Sequence, residues 1–377
     1  MNDLDGPVRV LLVDDSAVVR GALGRIIDAT ADLRVITTAV NGQQALDALR
    51  QTAIDVVLLD VEMPEMDGLT ALPLILSRFP NTRVIMASSL TQRGAAVTMQ
   101  ALAAGASDFI SKPSARVGSA GLAALEREIV EKTRAIGRAV RNRQARSASV
   151  SLPPAADADA PRAANGVSTG TAAPAIMAEA NTFNMPPRVI AVSASTGGPN
   201  ALADFLQNLS RPLDVPVLIT QHMPAVFTAL LAQRLARDTG HNVVEAAHND
   251  ALQPGVVYIA PGGHHMLVAT QEGKPFIRLT TTEPENFCRP SADPMLRSIA
   301  ATYGAAVLSV VLTGMGDDGC RGCGEVKHRG GSVLVQDEAT SVVWGMPGAV
   351  SKAGLADWIM PLSDIGPKVS ALVKGLH

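Results

Sequence analysis

Short apolar runs rich in Val, Ile and Leu alternate with helix-length stretches along most of this chain, in two separate series. That alternation restricts the fold to parallel α/β sheets covered by helices on both faces. The first series offers Val8-Arg9-Val10-Leu11-Leu12-Val13, Arg34-Val35-Ile36, Val56-Val57-Leu58-Leu59, Arg83-Val84-Ile85-Met86-Ala87 and Asp108-Phe109-Ile110-Ser111 as strands. Helices are expected near 16–30, 42–52, 67–78 and 92–104. Five such strands suit a doubly wound, flavodoxin-like order. The second series runs through Val189–Ser193, Val215–Thr220, Val256–Ala260, Ala305–Leu312, Ser332–Gln336 and Asp357–Met360. It forms a second, larger doubly wound α/β domain. Pro199 opens one of its helices, where a fixed φ and a missing N–H cost nothing.

A stretch of different composition separates the two series. From Ser147 to Pro187, 27 of 41 residues are Ala, Pro, Ser, Thr or Gly, and Phe183 is the only aromatic. Too little apolar surface is available there to offset the entropy of ordering, so a flexible tether is expected. A helix from about Leu122 to Arg141 precedes it. The five arginines between Arg134 and Arg146, with no acid among them, are expected to form a solvated basic helix end. The expected organisation is therefore a first domain over 1–125, a helix and linker over 126–187, and a second domain over 188–377.

Composition narrows the function classes. Of 377 residues, 47% are hydrophobic, enough for sizeable cores, and the formal charge of −3 gives no attraction to nucleic acid. The second domain carries 14 Lys/Arg against 16 Asp/Glu, so a DNA-binding output is not expected. No run approaches 18 apolar residues, and Met1-Asn2-Asp3-Leu4-Asp5 lacks the start of an export signal. Three cysteines (Cys288, Cys320 and Cys323) are too few for a disulfide framework. A cytoplasmic protein without membrane insertion is expected.

Ligands of open parallel sheets bind beyond the carboxyl ends of the strands. Asp14 and Asp15 follow the first strand, Asp60 the third, Ser88 the fourth, and Lys112 the fifth. Three carboxylates gathered at one edge repel each other, a conflict that a hard cation such as Mg²⁺ resolves. Asp60 then becomes a candidate nucleophile toward a phosphoryl group, with Ser88 and Lys112 available to hold its oxygens. The segments Leu12-Val13-Asp14-Asp15-Ser16, Leu59-Asp60 through Asp67-Gly68, and Gly105 through Lys112-Pro113 resemble the motifs of response-regulator receiver domains. The resemblance implies phosphorylation of Asp60 by a histidine kinase. It further implies Mg²⁺ on Asp14, Asp15, Asp60 and the main-chain carbonyl of Glu62, with Ser88 and Phe109 as switch residues.

In the second series, Arg188 to Pro199 carries an apolar strand into a Ser-Thr-Gly-Gly turn and a proline-started helix. A serine on such a turn can stand exposed at the sheet top beside free helix amides, though a phosphate-binding loop fits the same pattern. A serine nucleophile needs a base. His222 directly follows the strand Val217-Leu218-Ile219-Thr220-Gln221; His264-His265 form an adjacent pair that no further cluster completes as a metal site. His241, His248, His328 and His377 are expected at the surface. The base needs a carboxylate, and the loop after Val307–Leu312 offers Asp317 and Asp318.

These segments, with Gln221-His222-Met223-Pro224, Ala260-Pro261-Gly262, Arg289-Pro290-Ser291-Ala292-Asp293, Thr313 to Gly319 and Trp344-Gly345-Met346-Pro347, resemble the CheB family of chemotaxis protein-glutamate methylesterase/glutaminases. The resemblance implies Ser195 as nucleophile, His222 as general base and acid, and Asp318 as the orienting carboxylate. Thr196 and the amides near Met315 are implied oxyanion donors. No cofactor is implied in this domain. The implied substrates are methylated glutamates on methyl-accepting chemoreceptors, with methanol released, and specific receptor glutamines, which are deamidated. Ser193, where the family pattern suggests glycine, offers a second hydroxyl. Cys320 and Cys323 are expected as small packing residues.

Overall fold

The computed structural model describes residues 6–89, 91–112, 119–150 and 185–376. The first sheet comprises β1 (Val8–Val13), β2 (Leu33–Ala39), β3 (Val56–Asp60), β4 (Arg83–Ser88) and β5 (Asp108–Ser111), all parallel. Its order is β2-β1-β3-β4-β5, as the alternation predicts. Central β3 is buried throughout, which is why it reads as a continuous apolar run. Helices α1 (Ala17–Asp28), α2 (Gly42–Gln51), α3 (Gly68–Arg78) and α4 (Gln92–Ala103) each start at a side-chain cap: Ser16, Asn41, Asp67 and Thr91.

Helix α5 (Ser119–Val150) is longer at both ends than the sequence suggests. Leu125, Ile129, Ile136 and Val140 bury its apolar stripe on the first sheet, so packing around that sheet continues through Val140. Only part of its arginine row is solvated: Arg138 and Arg146 are exposed, Arg134 and Arg143 are half-buried, and Arg141 is buried. Arg134 Nε and Arg138 Nη2 each lie 2.8 Å from Asp32 Oδ2, and buried Arg141 meets Asp55 at 2.9 Å. Arg143 donates to the carbonyls of Ser341 (2.7 Å) and Val342 (3.3 Å), and Arg146 pairs with Glu338 at 2.9 Å. An arginine row reads as solvated only if its acceptors are invisible, and these are distant in sequence. The expected tether from 151 to 184 lies outside the described residues.

The second sheet is parallel and seven-stranded, in the order β14-β13-β12-β6-β7-β9-β8. Its strands are β6 (Val189–Ala194), β7 (Val217–Gln221), β8 (Asn242–Glu245), β9 (Val256–Ile259), β12 (Val307–Val311), β13 (Ser332–Gln336) and β14 (Trp358–Met360). The helices are α6 (Gly198–Gln207), α7 (Ala225–Thr239), α8 (Ala292–Tyr303), α9 (Cys320–His328), α10 (Met346–Lys352) and α11 (Leu362–Val373). Edge strand β8 and an antiparallel hairpin, β10 (His265–Gln271) with β11 (Lys274–Thr280), are additions the apolar runs did not reveal. The hairpin turns on Glu272-Gly273, both at positive φ, as a two-residue hairpin turn requires. His241 is buried rather than superficial; its Nε2 lies 2.9 Å from the Leu206 carbonyl, and burial lowers its pKa.

The two halves pack against each other. Phe109 of β5 stacks on Phe227 of α7, with ring centroids 4.2 Å apart and planes at 24°. Nearby, Asn200 donates to the Ala106 carbonyl (3.3 Å) and accepts from Arg234 (2.9 Å). At the far end of the contact Arg127 of α5 lies 4.6 Å from the Phe287 ring centre.

Candidate functional site

The first strand-end cluster gathers Asp14, Asp15 and Asp60, whose carboxylate oxygens lie within 4.8 Å of one another. Asp14 and Asp60 are buried and Asp15 is exposed. Asp14 accepts from the Ser16 amide at 2.8 Å, and Asp60 from the Val61 amide at 2.6 Å. Lys112 Nζ stands 2.6 Å from Asp60 and 2.8 Å from Asp14. Burial raises the Asp60 pKa against the opposing pull of Lys112; for Lys112 itself, burial is outweighed by its two carboxylates, which hold it up. Asp14 Oδ2 is buried, and the Lys112 ammonium at 2.8 Å is what compensates its charge. Three hard carboxylate donors gathered within 4.8 Å of one another fit a divalent cation such as Mg²⁺. The Glu62 carboxylate is exposed and lies 3.6 Å from Arg93. The Ser88 hydroxyl accepts from Thr98 at 2.6 Å and donates toward the Ser89 and Gly94 carbonyls at 3.2 and 3.3 Å, and Phe109 is buried against α7.

The second rim is built by register. Ala194 of β6 pairs with Gln221 of β7, so Ser195 and His222 sit side by side one step beyond, on strands about 4.8 Å apart. The turn after Ser195 closes by a Gly198 N–H to Ser195 carbonyl bond of 2.8 Å, with Gly197 at φ +78, a conformation that disfavours any side chain. The Ser195 carbonyl also accepts from Gln221 Nε2 at 2.9 Å. Ser195 is 8% exposed. Ser193 is fully buried within β6, its hydroxyl unpartnered, so it does not reach the rim.

Asp318 reaches His222 from the loop after β12, Oδ2 to Nε2 at 2.7 Å. Asp317 is exposed. The Asp318 carboxylate also accepts from the Ala292 amide, the Ser291 hydroxyl and Asn286 Nδ2, each at 2.7 Å, and from the amides of Gly319 (3.0 Å) and Asp293 (3.2 Å). It therefore sits on the amino end of α8, where free N–H groups and the helix dipole favour an anion. Burial would raise its pKa, but His222 and these donors hold it well below the ordinary carboxylate range. Arg289-Pro290-Ser291-Ala292-Asp293 thus acquires a role that its sequence did not disclose: its hydroxyl and amides form the seat of Asp318.

With Nε2 committed to Asp318, Nδ1 is the nitrogen of His222 left for proton transfer. Cys288 Sγ lies 3.5 Å from it, a neighbour that sequence reasoning missed because nothing in the spacing connects positions 222 and 288. Burial lowers the His222 pKa, but charge at Cys288 and Asp318 outweighs it and pushes the imidazole up to about 10. Thr196 is buried next to Ser195; burial raises the pKa of Asp108 of β5, and the Thr196 side chain bears on that carboxyl and lowers it against this larger effect. The Ser195 amide is already spent on the Thr313 carbonyl at 3.1 Å. Met315 is half-buried.

The remaining candidates are structural. His265 is buried with both ring nitrogens engaged, Nε2 with the Glu283 carbonyl (3.1 Å) and Nδ1 with the Ser291 amide (3.2 Å), so the His264-His265 pair is not a metal site. Cys323 is buried at 3.4 Å from Ser309 Oγ, and burial pushes its thiol up to about 12.

Both halves of the chain are similar to known proteins. A family model described as CheB methylesterase matches residues 190–369, and one described as response regulator receiver domain matches residues 10–118. A protein-glutamate methylesterase/protein-glutamine glutaminase of Azospirillum brasilense is 47% identical over 366 residues, covering 96% of this chain and 92% of the relative. One of a group 2 operon in Rhodospirillum centenum is 45% identical, covering 97% and 94% respectively. The solved CheB methylesterase catalytic domain of Thermotoga maritima aligns at 39% identity over 50% of this chain and 100% of that one, with a TM-score of 0.49.

Proposed function

The chain belongs to the CheB methylesterase family, with a response-regulator receiver ahead of the methylesterase domain, and from this we infer how its residues act. It is a hydrolase that removes methyl groups from protein glutamate γ-methyl esters and deamidates glutamines, serving chemotactic adaptation. In the neutral form of the imidazole, whose share grows as pH rises toward the raised His222 pKa, Ser195 Oγ attacks the γ-carbonyl and passes its proton to His222 Nδ1. The imidazolium so formed is stabilised and held in orientation by Asp318 on Nε2. Thr196 Oγ and the amide of Met315 take the developing oxyanion. His222 then protonates the leaving methoxide, or the amine when the substrate is glutamine. Water, deprotonated by the same imidazole, frees the glutamate from Ser195. The observation that carries this reading is the 2.7 Å contact of His222 with Asp318, one strand position from Ser195.

The receiver supplies control. Asp60 takes a phosphoryl group from a chemotaxis histidine kinase; Asp14, Asp15, Asp60 and the Glu62 carbonyl would hold the Mg²⁺. The ion, when bound, neutralises charge on the transferring phosphoryl group. Lys112 then turns from the Asp60 oxygens to those of the phosphoryl group. The Phe109–Phe227 stack, the Arg127–Phe287 contact and the Arg143 bonds hold the resting receiver at the Ser195 rim, and phosphorylation shifts the population away from that arrangement. Methyl-accepting chemoreceptors are the partners and the cytoplasm is the compartment. Among the described residues no helix is long and apolar enough to cross a membrane.

The test is to incubate the full chain with receptor membranes carrying methyl-labelled glutamates and, separately, unprocessed glutamines. Volatile methanol from the first and ammonia from the second are expected, both faster with a phosphodonor. Release of neither product overturns the assignment.

A further inference from the structure

The three cysteines occupy unequal surroundings. Cys323 is buried, and burial raises the pKa of Cys320 too. Cys288 is half-buried and is the one of the three that meets an imidazole, at 3.5 Å from His222 Nδ1. Its placement is enforced by a tight turn. The Cys288 N–H bonds the Glu285 carbonyl at 2.9 Å, and the two central residues, Asn286 and Phe287, take φ values of 53 and 61. Neither is glycine, and Phe287 is 84% exposed, so it gains no burial to offset the strain. The turn is anchored by Asn286, whose Nδ2 donates to Asp318 (2.7 Å) and Asp293 (2.9 Å) and whose Oδ1 accepts from Arg321 (2.7 Å). The same carboxylate that orients His222 therefore also fixes the turn presenting the thiol. Cys288, His222 and Asp318 form a thiol–imidazole–carboxylate chain.

We propose that Cys288 is a modification site at which alkylation or oxidation by a hydroperoxide switches the esterase off. The thiolate is the reactive form of cysteine, and an imidazolium held charged by a carboxylate stabilises a thiolate beside it. With hydrogen peroxide, the sulfur attacks one peroxide oxygen, the S–O bond forms and the O–O bond breaks. The departing hydroxide takes the proton from the imidazolium and leaves as water. Sulfur is oxidised by two electrons to the sulfenic acid, and the peroxide is reduced. A dithiol reverses the step, one thiol displacing the sulfenic oxygen as water and the second releasing Cys288 from the mixed disulfide. Any group added to Sγ must occupy the space beside Nδ1, the nitrogen that Ser195 needs. This consequence rests on the Ser195–His222 reading above; the reactivity of the thiol does not.

The experiment uses the full chain and has two arms. In the first, brief iodoacetamide labelling is followed by peptide mass spectrometry. Cys288 is expected to label about tenfold faster than Cys320, with that advantage lost in His222→Gln. Equal labelling of the two thiols, or an advantage indifferent to His222, overturns the proposal. In the second arm, hydrogen peroxide treatment precedes methanol release, each protein being compared with its own untreated rate. The wild type is expected to lose most of its activity and regain it with dithiothreitol, while Cys288→Ala keeps its own. Equal losses in both proteins, or undiminished methanol release from fully modified Cys288, overturn it. Labelling reads no esterase activity, so failure of the Ser195 reading alone leaves the first arm intact and shows separately as activity in Ser195→Ala.

Discussion

Replacing Phe227 by leucine keeps an apolar side chain of similar volume in α7 but removes the ring that Phe109 stacks on. Both rings are essentially buried, at 0% and 2% exposure, and their centroids lie 4.2 Å apart. A stacked aromatic pair contributes about 0.5–1.5 kcal/mol beyond its burial, and that fraction of the interdomain contact is lost. At 1.4 kcal/mol per decade, the resting balance moves toward the undocked receiver by about two- to tenfold. Methanol release by unphosphorylated Phe227→Leu should rise by that factor, and stimulation by a phosphodonor should shrink by the same factor, because less inhibition remains to be relieved. An unstimulated rate equal to that of the wild type, in a variant with a native melting transition, would refute the view that this contact restrains the enzyme.

Asp318→Asn keeps the shape of the residue but removes the negative charge that stabilises the imidazolium and sets an amide donor among six donors. A fall in kcat of about 10³–10⁴ with little change in KM is expected from steady-state methanol release. Stability should also follow pH through the same pair. The folded-state pKa of His222 is raised from 6.5 to about 10, so its contribution is full below about 6.5 and is lost as pH climbs through 10. Asp318 is depressed below its ordinary 3.8, so its contribution is present above that value and disappears in stronger acid. Urea midpoints should therefore hold between about pH 4 and 6.5 and decline on either side; a midpoint flat from pH 6 to 10 would contradict the pairing. Asp60→Asn should abolish phosphodonor stimulation while leaving unstimulated methanol release in place, measured on the same membranes.

The central strands of both sheets were legible because they are buried on two faces and so read as unbroken apolar runs, as in Val56–Leu59 and Val307–Leu312, whereas edge strands β2 and β14 are partly exposed. Strand β8 escaped because it lies at an edge with only Val243 fully buried, and the β10–β11 hairpin because its pairing is announced by Glu272-Gly273 rather than by apolar residues. Ser195 and His222 could be placed at one rim because each directly follows a strand. The Asp318 seat could not be derived, since it depends on the start of α8 meeting a loop some 25 residues further on. Arg143, which bonds carbonyls 198 and 199 residues away, shows the same limit: local pattern places elements, whereas contacts between distant loops emerge only once the sheets are assembled.

Methanol release by Ser195→Ala from methyl-labelled receptor membranes, with the fold checked by circular dichroism, bears most directly on the chemistry. The arrangement of Ser195, His222 and Asp318 predicts a rate at background, with or without phosphodonor. Turnover near that of the wild type would mean that another group, with Cys288 beside the same imidazole, attacks the ester.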